Sequence, residues 1–156
     1  MITYDEIGTN TNITLADFKA YANITGTDKD TQLQDVLTQA TLRVQEYADR
    51  ALLPCTIIIE VEGEQAQLWQ PIISAITKVV DMNTGDDVVA DCMAKGNTLY
   101  FPRPGAWKVT YTTQPSSGDV KRLLAYVWEM AAAMWDGNTE EEAKVYQRIP
   151  ADYVVQ

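Results

Sequence analysis

Residues 30–54 read DTQLQDVLTQATLRVQEYADRALLP, and their spacing decides how the rest of the chain is organised. Leu33, Val36, Leu37, Ala40, Val44, Tyr47, Ala48 and Ala51 recur at i, i+3, i+4 and i+7. That period gathers them on one side of an α-helix and predicts a long helix over about 30–50 with a core-facing stripe. Asp30 stands where an N-cap side chain can accept an otherwise orphan helix amide. The opposite side carries Asp35, Gln39, Glu46, Asp49 and Arg50, and Glu46 with Arg50 has the i, i+4 spacing of a weak exposed ion pair. Leu42 breaks the division, because the helical wheel turns it almost directly away from the stripe. It is either an ordinary exposed leucine or a contact for another protein.

Upstream, Thr14-Leu15-Ala16-Asp17 has the form of a capping box with Asp in place of Glu, opening a short helix that contains Phe18 and Tyr21. Residues 23–29 then read as a loop, and residues 1–12 as a flexible N-terminus. Downstream of Pro54 the period falls from 3.6 to 2. Ile57, Ile59 and Val61 alternate with Ile58, Glu60 and Glu62. The β-branched run 72–82 follows, then VVADCM at 88–93 and Thr98–Phe101. Pro102, Pro104 and Gly105 interrupt, and Trp107, Val109 and Tyr111 alternate with Lys108, Thr110 and Thr112 in a last strand. Asn83-Thr84-Gly85-Asp86 and Lys95-Gly96-Asn97 supply turn chemistry between these runs. Five or six short strands with hairpin-like turns predict an antiparallel sheet or small sandwich over about 56–112.

The helical period resumes after Gln114-Pro115-Ser116-Ser117-Gly118. Ser116 with Asp119 is a start signal and Gly137 a stop, predicting a helix over about 119–136 with Val120, Leu123, Val127, Met130 and Met134 as its stripe. Trp128 and Trp135 widen the apolar arc well beyond that stripe. They either pack on the chain's own sheet and first long helix or serve as subunit contacts. Residues 138–156 begin acidic, keep a weak helical pattern to Ile149, and break at Pro150 before the apolar Tyr153, Val154 and Val155. This C-terminal segment either covers its own domain or docks on a partner. The fold class is α+β: one domain over 1–156, a small helical bundle with an inserted antiparallel sheet.

The order ITLADFKAYANI, DKDTQLQDVLTQATLRVQEYADRALLP, TIIIEVEG resembles the small head-tail connector (adaptor) proteins of tailed bacteriophages. The residues that carry the resemblance are Thr14, Leu15 and Lys19, the acidic loop with Asp28 and Asp30, the leucine-rich helix with Tyr47, and Arg50 with Leu52. VWEMAAAMWDGN at 127–138 occupies the place of the aromatic residue near the end of the later helix, although the arginine that often follows it in relatives is missing. The resemblance implies a structural virion protein at the neck between head and tail, made in the host cytoplasm. It implies a closed ring of about twelve copies, bound to the portal protein and to a tail-side stopper or tail proteins, with the genome crossing its lumen. Leu42, Trp128, Trp135, Tyr153, Val154 and Val155 are the candidate subunit or partner contacts. The other class the chain allows is a monomeric or dimeric acidic binding module, such as another tail-completion or host-interaction protein.

Composition bounds these readings. The chain has 156 residues, 46% of them hydrophobic, with 22 acidic residues against 12 basic ones and a net charge of −10. That suits one core and argues against a protein that grips phosphates through a basic face. No stretch of about 18 apolar residues or signal-peptide pattern is present, so no membrane partner is expected. Histidine is absent, which removes Ser-His-Asp and Cys-His catalysis and imidazole-bound zinc. Cys55 and Cys92 lie far apart without a CxxC, and read as packed thiols rather than a disulfide. Neither Asp28-Lys29-Asp30 nor Asp86-Asp87 has the carboxylate series and glycine of an EF-hand loop, and no phosphate-binding glycine motif occurs. No catalytic, cofactor-binding or metal-binding residue is assigned, no cofactor is expected, and the chain is not read as an enzyme.

Overall fold

The computed structural model describes residues 2–69 and 73–150. Its elements run β1 (Ile2–Ile7), α1 (Leu15–Ala22), α2 (Asp30–Ala48), β2 (Cys55–Gln67), β3 (Ile73–Asp81), β4 (Met93–Lys95), β5 (Thr98–Thr113), α3 (Ser117–Trp135) and α4 (Thr139–Arg148). Four helices and a five-stranded antiparallel sheet make the fold α+β. The chain divides into two compact units: a sheet unit of Met1–Gly8 with Pro54–Gln114, and a helical unit of Thr9–Leu53 with Pro115–Gln156.

In the helical unit the 3.6-residue stripe of α2 is the core. Leu33, Leu37, Ala40, Val44 and Ala48 are buried, and α2 packs along α3 through Val120, Leu123, Val127 and Met130 of the latter. The Thr14 side chain caps α1 by accepting from the Asp17 amide, and Ser116 caps α3 by accepting from Asp119. Asp30 differs from its expected role. It lies inside the first turn of α2 behind an uncapped Lys29, and its carboxylate is held by Lys19 Nζ at 2.7 Å. Lys19 also donates to the Gly26 carbonyl, so one ammonium closes the loop between the two helices.

At its other end α2 stops at Asp49, which takes a left-handed conformation with φ 51°. Gln45, fully buried in the last turn, turns its Oε1 to the amides of Leu52 and Leu53 at 3.0 and 3.1 Å. Asn10 Nδ2 donates to the Leu52 carbonyl at 2.9 Å. The segment that leaves the helical unit therefore has its backbone polar groups tied to that unit, as burial requires.

The strand order is β1-β2-β5-β3, with β4 on the same side of β5 as β3. Residues 2–7, expected as part of a flexible N-terminus, form β1 and pair with β2 from Ile2↔Ile59 to Ile7↔Cys55. The partner is about fifty residues away, so no local signal announces it. β5 is a second difference: it runs unbroken through Pro102 and Pro104. The β2–β5 register jumps between Gly63↔Gly105 and Gln65↔Tyr100, which places residues 101–104 in a bulge opposite Glu64. Prolines have no amide to donate, and a bulge asks for none. Gly105 lets the Trp107 ring lie close, since a Cβ there would meet the ring at 3.3 Å. The VVADCM run is not a strand but a 3-10 turn over Val89–Asp91 leading into β4.

One face of the sheet is buried, carrying Cys55, Ile57, Ile59, Val79, Trp107, Val109 and Tyr111. The polar ends of its aromatics are satisfied locally. Trp107 Nε1 donates to the Gly63 carbonyl at 3.3 Å, and the Tyr111 hydroxyl accepts from the Trp69 amide at 3.1 Å. Both cysteines are free thiols.

Asp81, at the end of β3, organises the turn that follows. Its carboxylate accepts from the Asn83 amide at 2.9 Å and pairs with Arg103, whose guanidinium lies 5.2 Å from the centre of the Trp107 ring. The hydrogen bond from the Asn83 amide, with help from Arg103, holds the Asp81 carboxyl below its usual pKa. A carboxylate whose pKa is lower folded than unfolded stabilises the fold above the unfolded value, and this is lost as pH falls through the folded one. Asp81→Asn should therefore lower the melting temperature at pH 7, and the gap from wild type should narrow below about pH 4. Thermal unfolding across that range checks it.

Candidate subunit and partner contacts

The helices hold most of the residues that the sequence nominates as contacts. On α3, Trp128 stacks on the fully buried Phe18 of α1, with ring centroids 6.0 Å apart and 21° between planes. Trp135, two turns on, has Lys29 Nζ 5.8 Å from its ring centre. The wide apolar arc of α3 is thus partly covered by α1 and by the loop before α2. Both tryptophans stay half-buried, so each also offers a ring edge outward.

Leu42 does not. It is 7% exposed, and with Thr41 and Gln45 it gives α2 a second buried side. Gln45, one turn from Leu42 on the same side, takes the Leu52 and Leu53 amides of the returning chain. A helical wheel sees only the first stripe. Leu42 therefore belongs to the interior of the chain, and the three residues do not form one exposed surface.

The C-terminal segment is held on its own unit as far as Ile149. Val145 and Ile149 are buried, the Tyr146 ring packs tilted against Tyr47 with centroids 4.8 Å apart, and Arg43 of α2 pairs with Glu142. Arg148 bridges Glu141 at 2.7 Å and Glu129 of α3 at 3.3 Å, and the hydrogen bond it donates to Glu141 raises its pKa further. Burial pushes the Tyr146 phenol up as well. Tyr153, Val154 and Val155 lie outside the described residues.

The sheet unit presents a surface that sequence reasoning did not single out. Opposite its buried face, cross-strand rows run Glu6–Thr56–Thr112–Ala75, then Thr3–Ile58–Thr110–Lys78, then Glu60–Lys108–Val80. These side chains are partly or fully exposed and form a threonine-rich face with mixed charge. The period-2 alternation held the signal, but strand order was needed to bring the rows together. Met93 and Tyr100, a cross-strand pair on β4 and β5, are also exposed. Among the described residues no cluster of three or more Cys, Asp or Glu could hold a metal ion, and no helix is long and apolar enough to cross a membrane.

Residues 12–83, which run from the loop before α1 to just past β3, match the family of phage gp6-like head-tail connector proteins. The match spans just under half of the chain and contains Thr14, Lys19, Asp30 and Gln45, the groups that cap α1, close the α1–α2 loop and fix the exit from α2. Solved structures share the chain's fold at low identity. A chain in the neck of a native gene transfer agent (GTA) particle, computed with C12 symmetry, is 14% identical with a TM-score of 0.69, over 100% of this chain and 96% of that one. A chain in the virion of a native GTA particle is 15% identical with a TM-score of 0.66, over 87% and 84%. One in the neck of an empty GTA particle, computed with C6 symmetry, is 15% identical at 0.64, over the same shares. No curated protein matches the chain in sequence.

Two variants separate core from surface in this chain. Leu42→Asp buries an unpaired carboxylate and should abolish cooperative unfolding and much of the helical far-UV circular dichroism. Trp128→Ala removes a half-buried ring stacked on Phe18 and should keep the fold while costing about 2 kcal/mol in denaturant unfolding.

Proposed function

We propose that this chain is a structural connector of the virion neck. Copies close into a ring of about twelve subunits, seated between the portal and the tail-side stopper or tail proteins, and the genome passes through the lumen without specific binding. The observation that carries this is the family match over residues 12–83, because it falls on the side chains that build the α1–α2 pair and its exit into β2. A fold shared with chains of GTA necks is in keeping with it. The role is one of interfaces rather than turnover. The charge agrees too: an acidic chain offers passing DNA no counterion-releasing grip, so the duplex slides rather than sticks.

Cyclic closure needs two different patches on each copy, one for either neighbour. The half-exposed edges of Trp128 and Trp135 and the apolar Tyr153, Val154 and Val155 are the proposed contacts at the helical unit and the C-terminus, the latter toward the portal. Electron microscopy of the purified protein with and without its cognate portal protein tests the reading. Rings of uniform copy number on the portal are expected. Solitary particles that never close in its presence would leave the acidic binding module as the better account.

A further inference from the structure

The sheet unit carries opposite charge at its two edges. The strand order puts β1 at one edge and the open stretch of β3 at the other, about 14 Å apart across the intervening strands. β1 presents Asp5 and Glu6, both exposed, and the open stretch of β3 presents the exposed Lys78, with Lys108 beside it on β5, while the exposed Asp86 and Asp87 lie farther along that edge beside Val79–Asp81. Between the two rims lies a trough of ≈ 500 Å³ whose floor includes Thr56, Ile58, Val80 and Thr110. Among the described residues none of Asp5, Glu6 and Lys78 has an ion partner.

The edges differ from one another in a second respect that decides what can bind them. Along Val79–Asp81 the outer side of β3 is already covered by the following loop: Val88 donates to the Val79 carbonyl and Asp81 to that of Asp86. Only Ala75–Lys78 remains open. Register shifts fall at Tyr4/Glu6 on β1, and at Ile73/Ala75 and Ile76/Lys78 on β3. Bulges at a sheet edge break the even row of amides and carbonyls that an added strand would need. The edges are therefore ill suited to extending the sheet by hydrogen bonds, yet their side chains stay available.

We infer that the β1 edge of one copy meets the β3 edge of the next, with Asp5 and Glu6 facing Lys78 across the seam. This rests on the ring reading above. A head-to-tail contact uses two unlike patches of one subunit, and acidic and basic edges on one sheet supply such a pair. Exposed charges at a rim orient and accelerate association more than they tighten it. In a ring, however, a like-charge mismatch recurs at every seam, so a modest penalty per contact multiplies.

Charge exchange tests the pairing without touching the core. Asp5→Lys with Glu6→Lys makes the two facing stretches both basic, and Lys78→Glu makes both acidic; circular dichroism should match wild type for each. Each variant alone should lose ring particles on the portal in electron micrographs. Combining the three substitutions in one chain, or mixing the two variants in equal amounts, should restore rings, with the mixture closing only at even copy number. Rings from either variant alone, at wild-type yield, would overturn the assignment. So would failure of both the combined chain and the mixture to recover them. Wild-type protein that never closes on the portal marks failure of the ring reading itself, and the edge pairing falls with it.

Discussion

A chain that leaves one packed unit for another must carry its backbone polar groups out of water, and here a single carboxamide solves most of that problem. Gln45 Oε1 takes the amides of Leu52 and Leu53 together, while Asn10 takes the Leu52 carbonyl. A buried amide left without an acceptor costs on the order of 1–3 kcal/mol, so losing Gln45 would expose two such costs at once. Its placement also explains the shape of α2. The helix has a second buried side because the chain folds back onto Gln45, and Thr41 and Leu42 are enclosed on that side. The left-handed turn at Asp49 gives the reversal its direction.

The sheet meets a related constraint by a different means. β5 is the central partner, pairing β2 on one side and β3 and β4 on the other, yet it contains two prolines that cannot donate to a ladder. The bulge opposite Glu64 absorbs them, and the distortion brings Arg103 over Trp107 and onto Asp81. Asp81 in turn fixes the turn that covers the end of β3. A departure from regular pairing at 101–104 is thus coupled to the order of residues 81–88.

What the amino-acid sequence disclosed follows from how local each feature is. The stripe of α2, the Thr14 and Ser116 caps, the stop at Gly137 and the alternating strands depend on neighbours within a turn or a pleat, and all stand in the structure. β1 was missed because its partner lies in β2, across both helices of the first segment. The unbroken β5 was missed because proline reads as an interruption unless a bulge is known to lie there. Leu42 was turned outward because the helical wheel shows one stripe, whereas α2 is buried on a second side as well. Of the contact surfaces, Trp128 was legible as part of a broad apolar arc, but its stacking on Phe18 was not. The charged rims of the sheet needed strand order, which periodicity does not contain.

The interleaving of the two units also bears on synthesis. α2 leaves the ribosome before any of its partner helix exists, and Pro54–Gln114 must be made before α3 begins at Ser117. At about 5–20 residues per second this leaves the apolar stripe of α2 without α3 for several seconds or longer. The sheet unit, by contrast, has all its strands once residue 113 has emerged. The nascent chain therefore passes through an interval in which its sheet can be complete while half of its helical core is still unmade. Sheltering that stripe is a task for the cell rather than for the fold.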